Sequence, residues 1–180
     1  MIAVRPLESR DIPLIVRYWT ESDAAHLEAM GVDLSKLPQP GQLAAGLERQ
    51  LSLPLKERMA YCLIWEIDGL PSGHCNTNPT RFGEEAYMHL HLWAGAQRRR
   101  GQGLALVQAS LPHFFNTLKL QRLYSEPYAL NPAPNKTLER AGFVLEKEYI
   151  TTPGSINFEQ PVKRWVLTHE QFREKAGGLS

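Results

Sequence analysis

The sequence predicts a single domain, residues 1–180, of the mixed α/β (α+β) class, with one sheet flanked by helices. Short runs with an apolar residue at every second position alternate along the chain with longer runs in which apolar residues recur every three or four positions. The composition, with 43% hydrophobic and 22% charged residues, is that of an ordinary globular protein. A chain of 180 residues is also long enough to bury one sizeable core.

The predicted strands and helices follow from these two periodicities. In the first half, strands are expected at 2–7, 60–67 and 73–78, and helices at about 9–20, 22–30 and 42–51. In the second half, strands are expected at 86–93, 121–128, 143–150 and 162–167, and helices at 101–118, after Asn131 and at 168–174. Pro112 lies inside the helix at 101–118, so we expect a kink or a missing hydrogen bond there, because proline has no N–H.

The strands at 60–67 and 73–78 are predicted to form a hairpin around Asp68 and Gly69, a pair typical of a two-residue turn. In that register Cys62 lies opposite Cys75. We expect two buried free thiols rather than a disulfide, as suits a reducing compartment. No His and Cys cluster shows zinc spacing, so no metal site is predicted.

The most distinctive stretch lies between the apolar strand at 86–93 and the following helix. It contains three consecutive arginines and two glycines, in the order Arg98, Arg99, Arg100, Gly101, Gln102, Gly103, Leu104. Glycine permits a tight turn and a close approach to a ligand, and the first N–H groups of a helix have no internal partner. Such a site suits a phosphate, and the arginines add charge-assisted contacts. The alternative is an exposed basic loop that caps a helix.

Two motifs in this chain resemble those of the GNAT acyltransferase superfamily. Arg98-x-x-Gly101-x-Gly103 resembles its signature for the pyrophosphate of acyl-coenzyme A, and the segment from Asn131 to Gly142-Phe143 resembles its later strand–helix–strand motif. The general resemblance is to the RimJ/RimL-like branch. It implies a mostly antiparallel sheet whose central strands splay apart to admit acetyl-coenzyme A (acetyl-CoA).

The same resemblance implies an N-acetyltransferase. The acetyl group would pass from acetyl-CoA to a primary amine, on a small molecule or a protein N-terminus, by direct attack of the amine on the thioester. A non-catalytic acyl-CoA-binding module is the alternative. It deserves consideration because Leu138 and Pro134 stand where the family commonly has a proton-donating Tyr or Ser.

Cofactor-binding residues are assigned from the resemblance. A backbone N–H around Leu92–Trp93 is expected to bind the thioester oxygen, and the turn from Arg98 to Leu104 the pyrophosphate. Asn131 is expected to bond the pantetheine amides, while Asn135 and Lys136 on the next helix could reach coenzyme A.

Two residues are candidates for the base that deprotonates the amine. Glu126 lies five residues before Asn131, and His89 lies nine residues before Arg98; relatives have a catalytic glutamate or histidine at these offsets. A neutral histidine is also a competent base near pH 7. Tyr128 is our candidate acid, because it would share a strand face with Glu126. His91 is interpreted as a structural, hydrogen-bonded histidine.

The whole-chain properties limit the partners. The net charge of +1 gives no global field for nucleic acid or an anionic membrane, and no apolar run approaches the roughly 20 residues of a membrane span. The N-terminus shows no signal-peptide pattern, so a cytoplasmic protein, monomeric or homodimeric, is expected. The long segment between the first two strands should shape the acceptor pocket.

Overall fold

The computed structural model describes residues 1–93 and 101–177, and within them a seven-stranded sheet is flanked by helices. The strands are β1 (Ile2–Pro6), β2 (Tyr61–Ile67), β3 (Leu70–Arg81), β4 (Glu85–Leu92), β5 (Arg122–Ser125), β6 (Val144–Thr151) and β7 (Gln160–Thr168). The helices are α1 (Ile12–Glu21), α2 (Ala24–Ala29), α3 (Pro40–Ser52), α4 (Gln102–Pro112), α5 (Pro132–Ala141) and α6 (His169–Gly177).

The strand order is β1-β2-β3-β4-β5-β7-β6. Only the β4–β5 pair is parallel; the other neighbouring strands of this sheet run antiparallel. The predicted fold class, a mixed and mostly antiparallel sheet with flanking helices, is therefore confirmed. No helix in the two described ranges is long and apolar enough to cross a membrane.

Helices cover both faces of the sheet, and β2 is accordingly apolar on both of its faces. Leu63 and Trp65 belong to the larger core with α4, whereas Ile64 packs with residues of α1 and α3. Successive side chains of a strand point to opposite faces, so neighbours on β2 enter different cores. The indole of buried Trp65 donates a 2.9 Å hydrogen bond to the Ser110 hydroxyl on α4, which satisfies its polar atom inside the larger core.

The β2–β3 hairpin turns at Asp68 and Gly69, as predicted, with φ of 52° and 79°. The predicted pairing of Cys62 with Cys75 is wrong. A bulge between Trp65 and Glu66 shifts the register, so Cys62 pairs with Asn76 and Cys75 pairs with Leu63. Both thiols are free, as expected, but only Cys75 is fully buried.

Two departures from the predicted elements occur in the second half of the chain. Helix α4 ends at Pro112 and continues as a π-helical turn, His113–Thr117, in keeping with the disturbance that proline was expected to cause. Strand β5 ends at Ser125, three residues earlier than predicted. Glu126 and Tyr128 therefore lie beyond the strand, and the prediction that they share a strand face is wrong.

Candidate active site

A gap opens between β4 and β5 in the centre of the sheet. Their backbone pairing covers only Glu85–Tyr87 against Arg122–Tyr124, although β4 continues to Leu92. At the end of the paired part, the Ser125 hydroxyl donates a 2.9 Å hydrogen bond to the Met88 carbonyl. Beyond this bond the two strands are no longer paired, so the expected splay is present.

Helix α4, the next described element after β4, begins with a glycine in the left-handed conformation. Gly101, with φ of 69°, is the N-cap residue and offers no side chain to the first N–H groups of the helix. Among the described residues, no atom would lie within 4 Å of a Cβ on Gly101, and only the Thr137 hydroxyl, at 4.0 Å, would meet one on Gly103. The described part of the chain therefore leaves room for a ligand at both glycines.

The other predicted residues of this turn have different surroundings. The buried Oε1 of Gln102 has no hydrogen-bond partner among the described residues, and a pyrophosphate, which only accepts hydrogen bonds, would not supply one. The Leu104 side chain packs against the larger core, so it can offer a ligand only its backbone. Arg98, Arg99 and Arg100 lie outside the described residues.

A cavity of about 480 Å³ lies against the sheet near the splay. Its walls come from α1, α3, the segment 30–38, strands β3 and β4, the segment 125–134 and the segment 153–157. The cavity brings together four of the predicted site residues, His89, Glu126, Tyr128 and Asn131. The segment between β1 and β2, which was predicted to shape an acceptor pocket, contributes residues of α1, the segment 30–38 and α3 to the lining of this cavity.

His89 is held by a backbone carbonyl of the neighbouring strand. Its Nε2 lies 2.9 Å from the Asn78 oxygen, an acceptor, so this nitrogen carries the proton and Nδ1 keeps its lone pair when the ring is neutral. Burial lowers the pKa of His89 below its ordinary value; the Asn78 carbonyl and the charge of Glu126 oppose this shift without cancelling it. A neutral, oriented imidazole therefore faces the cavity at pH 7.

Glu126 is held by two residues that the sequence did not indicate, Tyr149 on β6 and Arg164 on β7. The Tyr149 hydroxyl donates a hydrogen bond to Glu126 Oε1, and Arg164 Nε lies 3.8 Å from the same oxygen. Burial, followed by this bond to Glu126, raises the pKa of Tyr149 to about 12, so the phenol remains the donor. Arg164 also forms an ion pair with Glu146 at 2.9 Å.

The sequence of the chain matches the model of the acetyltransferase (GNAT) domain over residues 2–144. This chain belongs to the GNAT acetyltransferase family. The match covers β1 to β5, the glycine turn and α5, and the activity expected from the sequence, acyl-CoA-dependent N-acetyl transfer to an amine, is thereby confirmed. A search of curated proteins finds no match.

Solved structures of other acetyltransferases have the same fold. A spermidine N-acetyltransferase from Vibrio cholerae, in complex with CoA and spermine, matches with a TM-score of 0.77 and 17% identity over 96% of this chain and 98% of that one. Mutant forms of the spermidine/spermine N-acetyltransferase SpeG from the same organism match with a TM-score of 0.75 and 17% identity, over 98% and 99% of the two chains. At these identities the likeness extends to the fold alone.

The two residues at the end of β4 that were predicted to donate a backbone N–H to the thioester oxygen, Leu92 and Trp93, direct these groups to opposite edges of the strand. The Trp93 N–H donates a 2.8 Å hydrogen bond to the Ser72 carbonyl on β3. Because this N–H is used in the sheet, the predicted contact of Trp93 with the thioester oxygen is corrected. Backbone groups of successive strand residues point to opposite edges. The N–H of Leu92 is therefore directed toward the β5 side, where the splay lies.

Trp93 instead completes a cluster of aromatic and imidazole rings beside the cavity. Its indole donates a 2.7 Å hydrogen bond to Nδ1 of buried His74, which stacks on His91 with ring centroids 4.5 Å apart. The Tyr18 hydroxyl lies 3.3 Å from Nδ1 of His91. His91 thus has the structural surroundings that the sequence suggested for it.

The residues of α5 are divided between the cavity and the core. Asn131 lines the cavity as the N-cap residue of α5, without a side-chain capping bond. Asn135 is buried, donating to the Tyr128 and Asn131 carbonyls and accepting from the Trp165 indole at 2.8 Å. These three bonds give Asn135 a structural function in place of the predicted contact with CoA. Lys136 is exposed on the outer face.

Proposed function

We propose that this enzyme acetylates a primary amine bound in the 480 Å³ cavity, using acetyl-CoA placed in the β4–β5 splay with its pyrophosphate at the Gly101 turn. The observation that carries the proposal is that the cavity beside the splay is lined by a neutral histidine and a carboxylate. Leu92 at the splay edge and Asn131 at the start of α5 stay our candidates for contacts with the thioester and the pantetheine arm.

The two candidate bases are assigned different tasks. Glu126, with one oxygen engaged by Tyr149, attracts the substrate ammonium by its charge. His89 accepts the proton that the ammonium loses, because its lowered pKa leaves the ring unprotonated at pH 7 and Asn78 orients it. The amine nitrogen then bonds to the acetyl carbon and the C–S bond breaks. The thiolate takes a proton from Tyr128 or water, and that donor regains a proton when the nitrogen loses its second proton to become the amide.

The assignment is tested by replacing each base separately. His89→Gln is expected to lower kcat by about a hundredfold or more, the usual contribution of a general base, with little change in the Kd of acetyl-CoA. Glu126→Gln is expected to act mainly on KM for the amine. Because protonated His89 is inactive, the wild-type rate should fall on the acidic side, below the ordinary histidine pKa.

The measurement is initial-rate release of free thiol as a function of pH and amine concentration. His113→Gln, a substitution on the π-helical turn away from the cavity, is the matched histidine control and should keep the wild-type profile. The reverse pattern, a large kcat loss in Glu126→Gln and only a KM effect in His89→Gln, would make Glu126 the base. Full activity of both variants would refute this active site.

We also propose, more finely, that the enzyme belongs to the RimJ/RimL-like branch and acts in the cytoplasm as a monomer or homodimer. The RimJ/RimL-like resemblance lies in the motifs around Gly101 and Asn131. A spermidine N-acetyltransferase of Vibrio cholerae with the same fold, TM-score 0.75 and 16% identity over 97% and 98% of the two chains, is described as dodecameric. Light scattering during size-exclusion chromatography distinguishes these assemblies.

A further inference from the structure

The cavity wall opposite the sheet is almost entirely apolar. Helix α1, the segment 30–38 and helix α3 contribute Ile15, Trp19, Met30, Leu37, Leu43 and Leu47 to this wall. The polar groups of the cavity, among them His89, Ser125 and Glu126, come from the sheet and from the chain that follows β5. An acceptor in this cavity therefore has its amine on the sheet side and the rest of its body against the apolar wall.

The charge available to a cationic acceptor is small. Among the described residues that line the cavity, Glu126 is the one carboxylate, and none is Lys or Arg. Arg164 lies 3.8 Å from its Oε1 and is itself paired with Glu146, so these three side chains together carry a net charge of −1. That charge can balance one ammonium group. A second ammonium against the apolar wall would have no second carboxylate among the described lining residues to balance it, which is costly.

We propose that the acceptor is a primary monoamine with a compact apolar or aromatic body, and not a polyamine. The inference rests on the proposed N-acetyltransferase function and specifies its substrate class. The volume of about 480 Å³ is within the range of small-molecule pockets. The side chains of Trp19 and Met30 offer the flat and polarizable surfaces against which an aromatic body packs well.

The first test compares three amines as acceptors with saturating acetyl-CoA. Phenethylamine represents the apolar monoamine, spermidine the polyamine, and a short peptide beginning with alanine a protein N-terminus. We expect kcat/KM for phenethylamine to exceed that of each of the others by about tenfold or more, since desolvating an unpaired charge costs more than one tenfold step. Preference for spermidine or the peptide, or no turnover of any amine, overturns the proposal.

Acetyl-CoA binding is measured in parallel, so that failure of the substrate class can be distinguished from failure of the acetyltransferase function. If acetyl-CoA raises the unfolding midpoint and spermidine is the preferred acceptor, the substrate class is wrong but the acetyltransferase function stands. If acetyl-CoA does not bind, the proposed function itself fails, and the substrate class fails with it.

The second test adds a carboxylate to the apolar wall. Leu43 lies in the first turns of α3 and lines the cavity without belonging to either core cluster, so Leu43→Glu should fold. A negative charge near a helix N-terminus is also favourable. We expect Leu43→Glu to lower kcat/KM for phenethylamine about tenfold and to raise it for putrescine, a diamine, because the second ammonium then has a partner.

Leu43→Gln is the matched control, since it has the same shape as the glutamate variant and no charge. It should not favour putrescine. If Leu43→Glu does not fold, Leu37→Glu in the loop before α3 puts the same charge on the same wall. Equal effects of the Glu and Gln substitutions on both amines would overturn the proposal, because charge would then not decide the acceptor.

Discussion

At the scale of single residues, His74 makes stability depend on pH. Its side chain is 3% exposed, and burial lowers its pKa from 6.5 to about 3. The unfolded chain therefore binds more protons than the folded one below pH 6.5, and stability falls as the pH falls. Between pH 7 and pH 5 the loss from His74 alone is roughly 2 kcal/mol. The lowered pKa of His89 acts in the same direction.

The variant His74→Asn tests this prediction, because the Asn side-chain oxygen can replace Nδ1 as the acceptor for the Trp93 indole. Urea unfolding at pH 7 and pH 5 is expected to show a smaller difference between the two pH values in the variant than in the wild type. The comparison uses the pH difference and not the absolute stability, since the stacking on His91 is also lost. An unchanged difference would mean that another group causes the acid sensitivity.

The sequence predicted four residues of one site that the structure brings to one cavity, namely His89, Glu126, Tyr128 and Asn131. Their offsets from two motifs were enough, because each lies close in sequence to the splayed strands. Tyr149 and Arg164 could not be found in this way. They reach Glu126 only through the pairing of β6 with β7, in a part of the sheet where the sequence carries no motif.

At the scale of elements, substitutions in the glycine turn before α4 allow an effect on CoA binding to be separated from an effect on stability. Gly101 and Gly83 both have positive φ, 69° and 78°, and a Cβ on either would meet no atom of the described residues within 4 Å. Replacing each with Val should therefore cost a similar amount of stability, roughly 1–3 kcal/mol of backbone strain. Only Gly101→Val should weaken CoA binding, by about tenfold or more, since its side chain would fill the space before the helix N-terminus.

Isothermal titration with CoA measures the two affinities, and thermal unfolding measures the two stabilities. Gly103→Val adds a variant without the φ strain: it should weaken CoA binding while leaving the midpoint of unfolding close to that of the wild type. Unchanged affinity in both Gly101→Val and Gly103→Val would refute the assignment of this turn to the pyrophosphate, whatever their stabilities.

The positions of the strands could largely be predicted from the sequence, but the register of the β2–β3 pair and the end of β5 could not. Periodicity located the seven strands to within a few residues, because alternation on a half-buried surface is a strong signal. The bulge at Trp65/Glu66, which displaced Cys62 from Cys75, left no mark in the pattern, since both sides of β2 are apolar. The early end of β5 was missed although Pro127 marks it, because proline has no N–H to continue the hydrogen bonding of a strand.

At the scale of the whole molecule, the splay divides the sheet into two parts, β1–β4 and β5–β7. Among the described residues, their strand pairing comprises three residue pairs, Glu85–Arg122, Ala86–Leu123 and Tyr87–Tyr124. Further hydrogen bonds join Ser125 to Met88 at one end of this pairing, and Gln121 and Arg122 to Glu84 at the other. The larger core, with α4 and its leucines, packs across both parts. A ligand that occupies the splay would contact both sides of this narrow junction and bind the folded state alone.

Acetyl-CoA at a hundredfold excess over its Kd should accordingly stabilise the folded protein by about 2.7 kcal/mol. For a domain of this length that corresponds to a rise in the unfolding midpoint of roughly 5–10 °C. CoA without the acetyl group should produce most of the shift, because the pyrophosphate and pantetheine contacts are common to both. The rise should leave a single transition, since the ligand joins the two parts of the sheet. A shift with acetyl-CoA that splits the transition in two would mean that the ligand binds one part only, and that the splay is not its site.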